Sequence, residues 1–252
     1  DIEGTIQATG LSFMNSRGTH NLDSFYLDSE RTADSTAFRL TLESDALAAD
    51  YSGSEGFMSF LSRIASRNLF RYLPAWFTSY TDEGPVPDFD NPASLQMTVR
   101  NSVFFEELLL PGLYISPGTS IFLQDLGKDH VRALIRSDEI GYLRHNLSHL
   151  NFIAEAGARD LQVEVECGNL TLGAAKADTV SIAAAAGGDR VFLNLHYNRN
   201  DGKTNYAHLE SALHFSRDHS LRQPLITAIL SSDTIHINGK NWKLHSDSIL
   251  IA

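Results

Sequence analysis

Basic charge is in short supply: 20 lysines and arginines stand against 31 aspartates and glutamates, a formal net charge of -11 over 252 residues. That balance repels a phosphate backbone and argues against nucleic acid as a partner. Cysteine is scarcer still, with Cys167 alone, so there is no internal disulfide framework. No run of about 18 apolar residues occurs, which leaves no segment suited to crossing a bilayer as a helix. A secretory leader is missing too, and the chain begins at Asp1 and stops just after a strand pattern. These ends fit a segment of a longer protein, with any anchor or export signal lying elsewhere in it.

Catalytic signatures are equally thin. HExxH, CxxC and GxSxG are all absent. The GGD at 187–189 has no Lys-Ser/Thr after it and no helical pattern, so it reads as a turn and not as a phosphate loop. What the sequence does have is a hydrophobic fraction of 42% with 20% charged residues, the balance of a folded chain.

The apolar residues alternate. Phe38, Leu40 and Leu42 are interleaved with Arg39, Thr41 and Glu43, and Leu47, Ala49 and Tyr51 follow a turn near Ser44 and Asp45. Leu95, Met97 and Val99 repeat the pattern, as do Val131, Ala133 and Ile135, then Leu150, Phe152 and Ala154. Leu161, Val163, Val165 and Cys167 come next, then Val180, Ile182 and Ala184, and beyond the GGD turn Val191, Leu193, Leu195 and Tyr197. Ala207, Leu209, Leu213 and Phe215 lead to the last hairpin. A period of two, broken by Gly, Asn, Asp or Ser at short intervals, predicts a mainly β fold: a curved antiparallel sheet forming one segment over 1–252.

One window departs from that period. Between a candidate capping box at Ser52 and Glu55 and a stop at Pro74, the residues Phe57, Leu61, Ile64, Ala65, Leu69 and Leu73 recur at helical spacing. The spacing predicts a helix over about 54–73, with Arg63, Arg67 and Arg71 on another face. Such an arginine stripe is either a solvated face or a surface for acidic lipid headgroups, with Phe57, Phe60 and Phe70 entering the interface. A shorter helix is expected over 102–110, and the acidic, proline-bearing stretch 81–92 reads as a loop.

The histidines and the cysteine are the side chains best suited to metal or nucleophilic chemistry. His236 and His245, and likewise His208 and His214, fall on polar strand faces without an evident third ligand, which makes them ordinary solvated residues. Cys167 sits in an apolar row with no neighbouring base, the setting of a small hydrophobe. No cofactor or metal is implied.

The closing stretch SSDTIHINGKNWKLHSDSILIA is the sharpest case of alternation. With Gly239 and Lys240 as a two-residue turn, Ile237 faces Trp242, His236 faces Lys243 and Ile235 faces Leu244. Ile235, Ile237, Trp242 and Leu244 then share one apolar face. A closed sandwich would bury such faces against each other. The small helix supply and the small members of the rows (Ala49, Ala133, Ala154, Ala184) favour an open groove instead.

Three stretches carry a resemblance. FRLTLESDALAADYSG followed by FMSFLSRIASRNLFRYLPAWF, the motif LLLPGLYISPGTSI at 108–121, and the closing stretch are similar, in that order, to parts of the TamB family, the translocation and assembly module proteins of the AsmA-like superfamily. The resemblance covers the whole chain, without the family's membrane anchor or its C-terminal conserved domain. It implies a non-enzymatic periplasmic segment of a long, inner-membrane-anchored protein, built as a taco-shaped sheet around a hydrophobic groove. Its implied ligand is phospholipid or another acyl chain, and its implied partner, through the full-length protein, is an outer-membrane barrel of the Omp85 type. On that reading the groove is lined by Phe38, Leu40, Leu42, Leu95, Met97, Val99, Leu150, Phe152, Leu161, Val163, Val165, Ile235, Ile237, Trp242 and Leu244. Two other roles fit the same pattern: a scaffold holding unfolded strands on open sheet edges, or a closed β-domain that binds carbohydrate or hydrolyses a substrate.

Overall fold

Strict alternation produces strands because successive side chains on an extended chain point to opposite faces, so one face can be buried while the other stays wet. A computed structural model describes residues 3–15, 18–31, 37–73, 75, 92–127, 130–200, 204–216, 225–243 and 248–251. The strands are β1 (Gly4–Asn15), β2 (Gly18–Arg31), β3 (Phe38–Ser44), β4 (Leu47–Gly53), β5 (Ala93–Val99), β6 (Leu113–Ile115), β7 (Ser120–Gly127), β8 (His130–Tyr142) and β9 (His145–Ala156). They continue as β10 (Leu161–Cys167), β11 (Leu170–Leu172), β12 (Ala175–Ala177), β13 (Thr179–Gly187), β14 (Arg190–Asn200), β15 (Thr204–Ser216), β16 (Leu225–Ile237), β17 (Lys240–Trp242) and β18 (Ser248–Ile251).

All pair antiparallel in a single meander. The main order is β1, β2, β3, β4, β5, β7, β8, β9, β10, β13, β14, β15, β16, with β17 and β18 both on β16. The short β6 extends β8, and β11 joins β9 to β12. The sheet does not close into a barrel; among the described residues β1 pairs with β2 alone.

Helix α1 (Phe57–Tyr72) lies on the inner face at one end of the strands. Phe60 is fully buried against Tyr51, with ring centroids 5.2 Å apart, and Phe57 meets the same tyrosine edge-on at 5.6 Å. Around them pack Phe38, Ala49, Ala93 and Leu95 from β3, β4 and β5. Ile64 touches this cluster and a second one, formed by Tyr72, Val131 and Ala156 with Leu161 and Ala186. One helix therefore ties the β3–β5 arm of the sheet to the β8–β13 arm.

The helix stops where it does for two reasons. Pro74 disfavours helical backbone at Leu73, and the β13–β14 turn holds the end in place. Asp189 accepts the Ala75 N–H through Oδ1 at 2.8 Å, and its own N–H donates to the Tyr72 carbonyl at 3.1 Å. That aspartate sits in the left-handed region at φ 60 beside Gly188 at φ 58, the conformation of a mirror-image hairpin turn.

Two expectations need correction. Ser52 belongs to β4, opposite Arg39, and forms no capping box; the Glu55 carbonyl instead accepts the Tyr51 hydroxyl at 2.6 Å, and the first helical bond runs from Phe60 N–H to Gly56 O at 3.0 Å. Strand pairing takes Ser52 before the helix can use it. Phe57, Leu61 and Ile64 pack on the sheet as their helical spacing implies, and Phe60 is buried with them, which leaves neither Phe57 nor Phe60 for a membrane-facing edge; the side chains of Arg63, Arg67, Arg71, Leu69 and Phe70 lie outside the described residues. The second helix is a π-helical turn, Phe105–Leu109, closed by the Leu110 N–H on the Phe105 carbonyl at 3.0 Å. The loop at 81–92 lies outside the described residues except for Pro92.

Truncating Phe60 to Ala should cost about 3–5 kcal/mol, because it empties the contact between helix and sheet. Met58→Ala, two residues away but 73% exposed, should stay within about 0.5 kcal/mol. Urea denaturation of the two variants checks both values; equal effects would show that the helix does not depend on its inner face.

Candidate functional site

Directly paired residues in an antiparallel sheet share a face, so register decides what the sheet presents. Reading across the strands, Ile6 faces Leu27, which faces Leu42, then Ala49, Met97, Ile121 and Ile135. The same row continues through Phe152, Val165, Ile182, Leu195 and Leu209. Every member is apolar. A second row beside it runs Leu40, Tyr51, Leu95, Leu123, Ala133, Ala154, Val163, Ala184 and Leu193, is interrupted by Ser211, whose hydroxyl is buried without a partner, and resumes at Leu230.

Only part of this face is covered. Beneath α1 the residues Phe38, Tyr51, Leu95, Ala93 and Val131 are buried, whereas Phe152, Val163, Val165, Leu193, Leu195 and Leu209 are half-buried. A sandwich would bury all of them against a second sheet. Where the rows leave the helix N-terminus, Ile6, Leu27, Leu40, Phe57 and Met58 line a cavity of about 500 Å³.

The structure brings most of the expected lining residues onto one continuous surface. Phe38, Leu40, Leu42, Leu95, Met97 and Val99 meet through β4; Leu150, Phe152, Leu161, Val163 and Val165 lie on β9 and β10 of the same face. Val99, like Phe38 and Leu95, is buried, so these three are packed core rather than open lining. The sequence reading missed Ile121 and Leu123 of β7, which bridge β5 to β8. Their alternation is masked by Phe122 on the other face, so the run IFL shows no period of two.

The final hairpin also corrects the reading. Its turn is Asn238–Gly239, with φ 54 and 76, and not Gly239–Lys240. Ile235 consequently faces Trp242, His236 faces Asn241, and Ile237 faces Lys240. Asn tolerates the left-handed region and Asn-Gly is the preferred pair for this turn, which is the signal that should have fixed the register. A shift of two residues keeps Ile235, Ile237 and Trp242 on one face, but this end is uncovered, with Ile237 42% and Trp242 58% exposed. Leu244 and His245 lie outside the described residues.

A bulge keeps the hairpin in phase with the rest. Along β16 the inner residues are Ile226, Ala228 and Leu230, of even number, then Ile235 and Ile237, of odd number. The register shift opposite His208 and Leu209 absorbs the extra residue that makes the switch.

The outer face carries the polar half of each alternation, with exceptions such as the row Phe122, Leu134 and Ile153 across β7, β8 and β9. His196 and His208 stack with centroids 4.1 Å apart, and His208 Nε2 lies 3.1 Å from Asn194 Oδ1. His236 stacks on Tyr206 at 5.3 Å and its Nδ1 is 2.7 Å from Asn241 Oδ1, while His214 lies opposite Arg190. Among the described residues, no group of three or more His, Cys, Asp or Glu is placed to hold a metal ion. Near the β3–β4 turn, the Ser24 hydroxyl donates to Asp45 at 2.6 Å and, with the Ser24 N–H, holds that carboxyl below its usual range. The bond ties β2 to the turn; it makes no site.

Cys167 lies on the inner face opposite Val180, and burial pushes its thiol above the ordinary cysteine value. At any given pH it therefore holds less thiolate than a free cysteine. Comparison with protein-family models, with curated proteins and with solved structures found no match to this chain.

Iodoacetamide should modify Cys167 more slowly than a free cysteine at pH 8, and the two rates should converge as pH rises past the raised value. A pH–rate profile by mass spectrometry checks this. A rate above that of free cysteine at neutral pH would mark an activated thiol and revive a nucleophilic role.

Proposed function

We propose that this chain is a non-enzymatic segment of a periplasmic, TamB-like protein whose inner sheet face carries phospholipid acyl chains between membranes. The observation that supports this reading is the unbroken apolar row from Ile6 to Leu209, most of whose members are only half-buried. Eleven strand-to-strand steps of about 4.8 Å make a path of about 53 Å along the sheet. The tails of one leaflet fill about half of a hydrocarbon core of about 30 Å. The row is thus longer than a single lipid needs, which favours a conduit over a pocket for one molecule. Each CH₂ kept out of water is worth about 0.8 kcal/mol, so a continuous row lets a tail advance without a large exposed intermediate.

A second role, support of outer-membrane protein assembly with an Omp85-type barrel, is compatible with the same sheet: among the described residues β1 pairs with β2 alone, and strand addition works through such an edge.

Lipid that co-purifies with the chain, read by native mass spectrometry, is the direct test. Val165→Asp places a carboxylate in the middle of the row between Phe152 and Ile182. In a half-open groove the charge keeps water, so the variant should melt cooperatively while retaining less than a tenth of the bound phospholipid. Gln96→Glu, exposed on the outer face, should change neither. Ile237→Asp does not discriminate, because Ile237 is exposed already. Undiminished lipid in a folded Val165→Asp chain would remove the row from any lipid path.

A further inference from the structure

On the outer face, which the lipid reading leaves unused, one apolar interruption lines a hollow. Ala185, Phe192, Ala212 and Ile229 are cross-strand neighbours on β13, β14, β15 and β16, on the side facing away from the groove. Phe192 is 57% and Ile229 49% exposed, and Ala212 between them, with Ala183 and Ala185 beyond Phe192 on β13, leaves a hollow of about 480 Å³. That volume lies in the usual range for a binding cleft. Large exposed apolar residues around a concave floor are not what a merely solvated sheet face requires.

The rim is acidic. Glu164 and Glu210 line the hollow and no lysine or arginine does. His208 Nε2 is 3.8 Å from Glu210, and Arg190, one position beyond Phe192 on the same face, lies outside the lining. Such a rim repels phosphate headgroups, which argues against a second lipid site. The geometry points to a docking site for a cationic, extended protein segment that sets one large apolar side chain over Ala212, between Phe192 and Ile229, and places lysine or arginine beside Glu164 and Glu210. The inference stands apart from the lipid reading, since it concerns the opposite face.

The test uses the full chain and two acetylated peptides, one alternating lysine with leucine and its counterpart with glutamate for every lysine, titrated by calorimetry at low salt. The basic peptide should bind at least tenfold more tightly than the acidic one. Glu164→Lys with Glu210→Lys should invert that preference, and Ala212→Trp, which fills the hollow, should abolish binding while co-purified lipid stays unchanged. Should Ala212→Trp fail to fold, Phe192→Ser serves instead, with at least a fivefold loss expected. Equal binding of both peptides, or binding that survives the filled hollow, overturns the inference. So does a chain that self-associates, or that binds anionic phospholipid vesicles, through this face and loses that property with Ala212→Trp.

Discussion

Everything in this fold depends on phase. A strand has a side-chain period of two, so a slip of one residue anywhere in the meander would turn every later apolar residue outward. The inner row from Ile6 to Leu209 exists only because each pairing preserves phase over a long series of strands. The turns enforce it locally. Gly188–Asp189 and Asn238–Gly239 are two-residue connections whose positive φ values match the twist of the flanking strands and leave no slack in the register. Where the sequence does change parity, between Leu230 and Ile235, a bulge removes the mismatch.

Phase alone gives a sheet with one apolar face, which would be poorly stable in water if nothing covered it. Helix α1 covers one end. Its inner residues reach both arms, through Phe60 on Tyr51 and through Tyr72 beside Val131 and Ala156, so the helix fixes the curvature as well as the burial. The opposite end of the strands is held by polar contacts instead: Ser116, Thr119 and Ser137 form a buried hydroxyl cluster with distances of 2.7–3.2 Å. Between these two anchors the face stays half-open, and that gap is where a ligand has room.

Strand content and face assignment were legible in the sequence because alternation is a local signal, carried within each run such as LQVEVEC or FRLTLES. The helix was legible for the same reason, since Phe57, Leu61 and Ile64 fall on one side of a 3.6-residue period. Its start was not, because Ser52 had two local options and the pairing of β4 with β3 decided between them. The strand at Ile121 and Leu123 was hidden by Phe122, whose burial against neighbours is a tertiary fact. The hollow by Phe192 was invisible for a different reason. On its strand Phe192 reads as a stray apolar residue on a wet face, and only the pairing with Ala185 and Ala212 gives it a cavity.

The alanine run at 183–186 links the two faces. Ala184 and Ala186 point inward and Ala183 and Ala185 outward, so β13 is thin on both sides. Small side chains cost burial energy, roughly 0.8 kcal/mol for each CH₂ that a valine or leucine would have added. Four in succession are poor choices for a packed core, and their β-propensity is low. They make sense where a sheet must curve tightly and still leave space beside its backbone. At β13 the inner side of that space continues the apolar row through Ala184, and the outer side forms the floor of the hollow. A bulky residue at Ala184 would narrow the first, and one at Ala185 would fill the second, so neighbouring positions on one strand set the capacity of opposite faces.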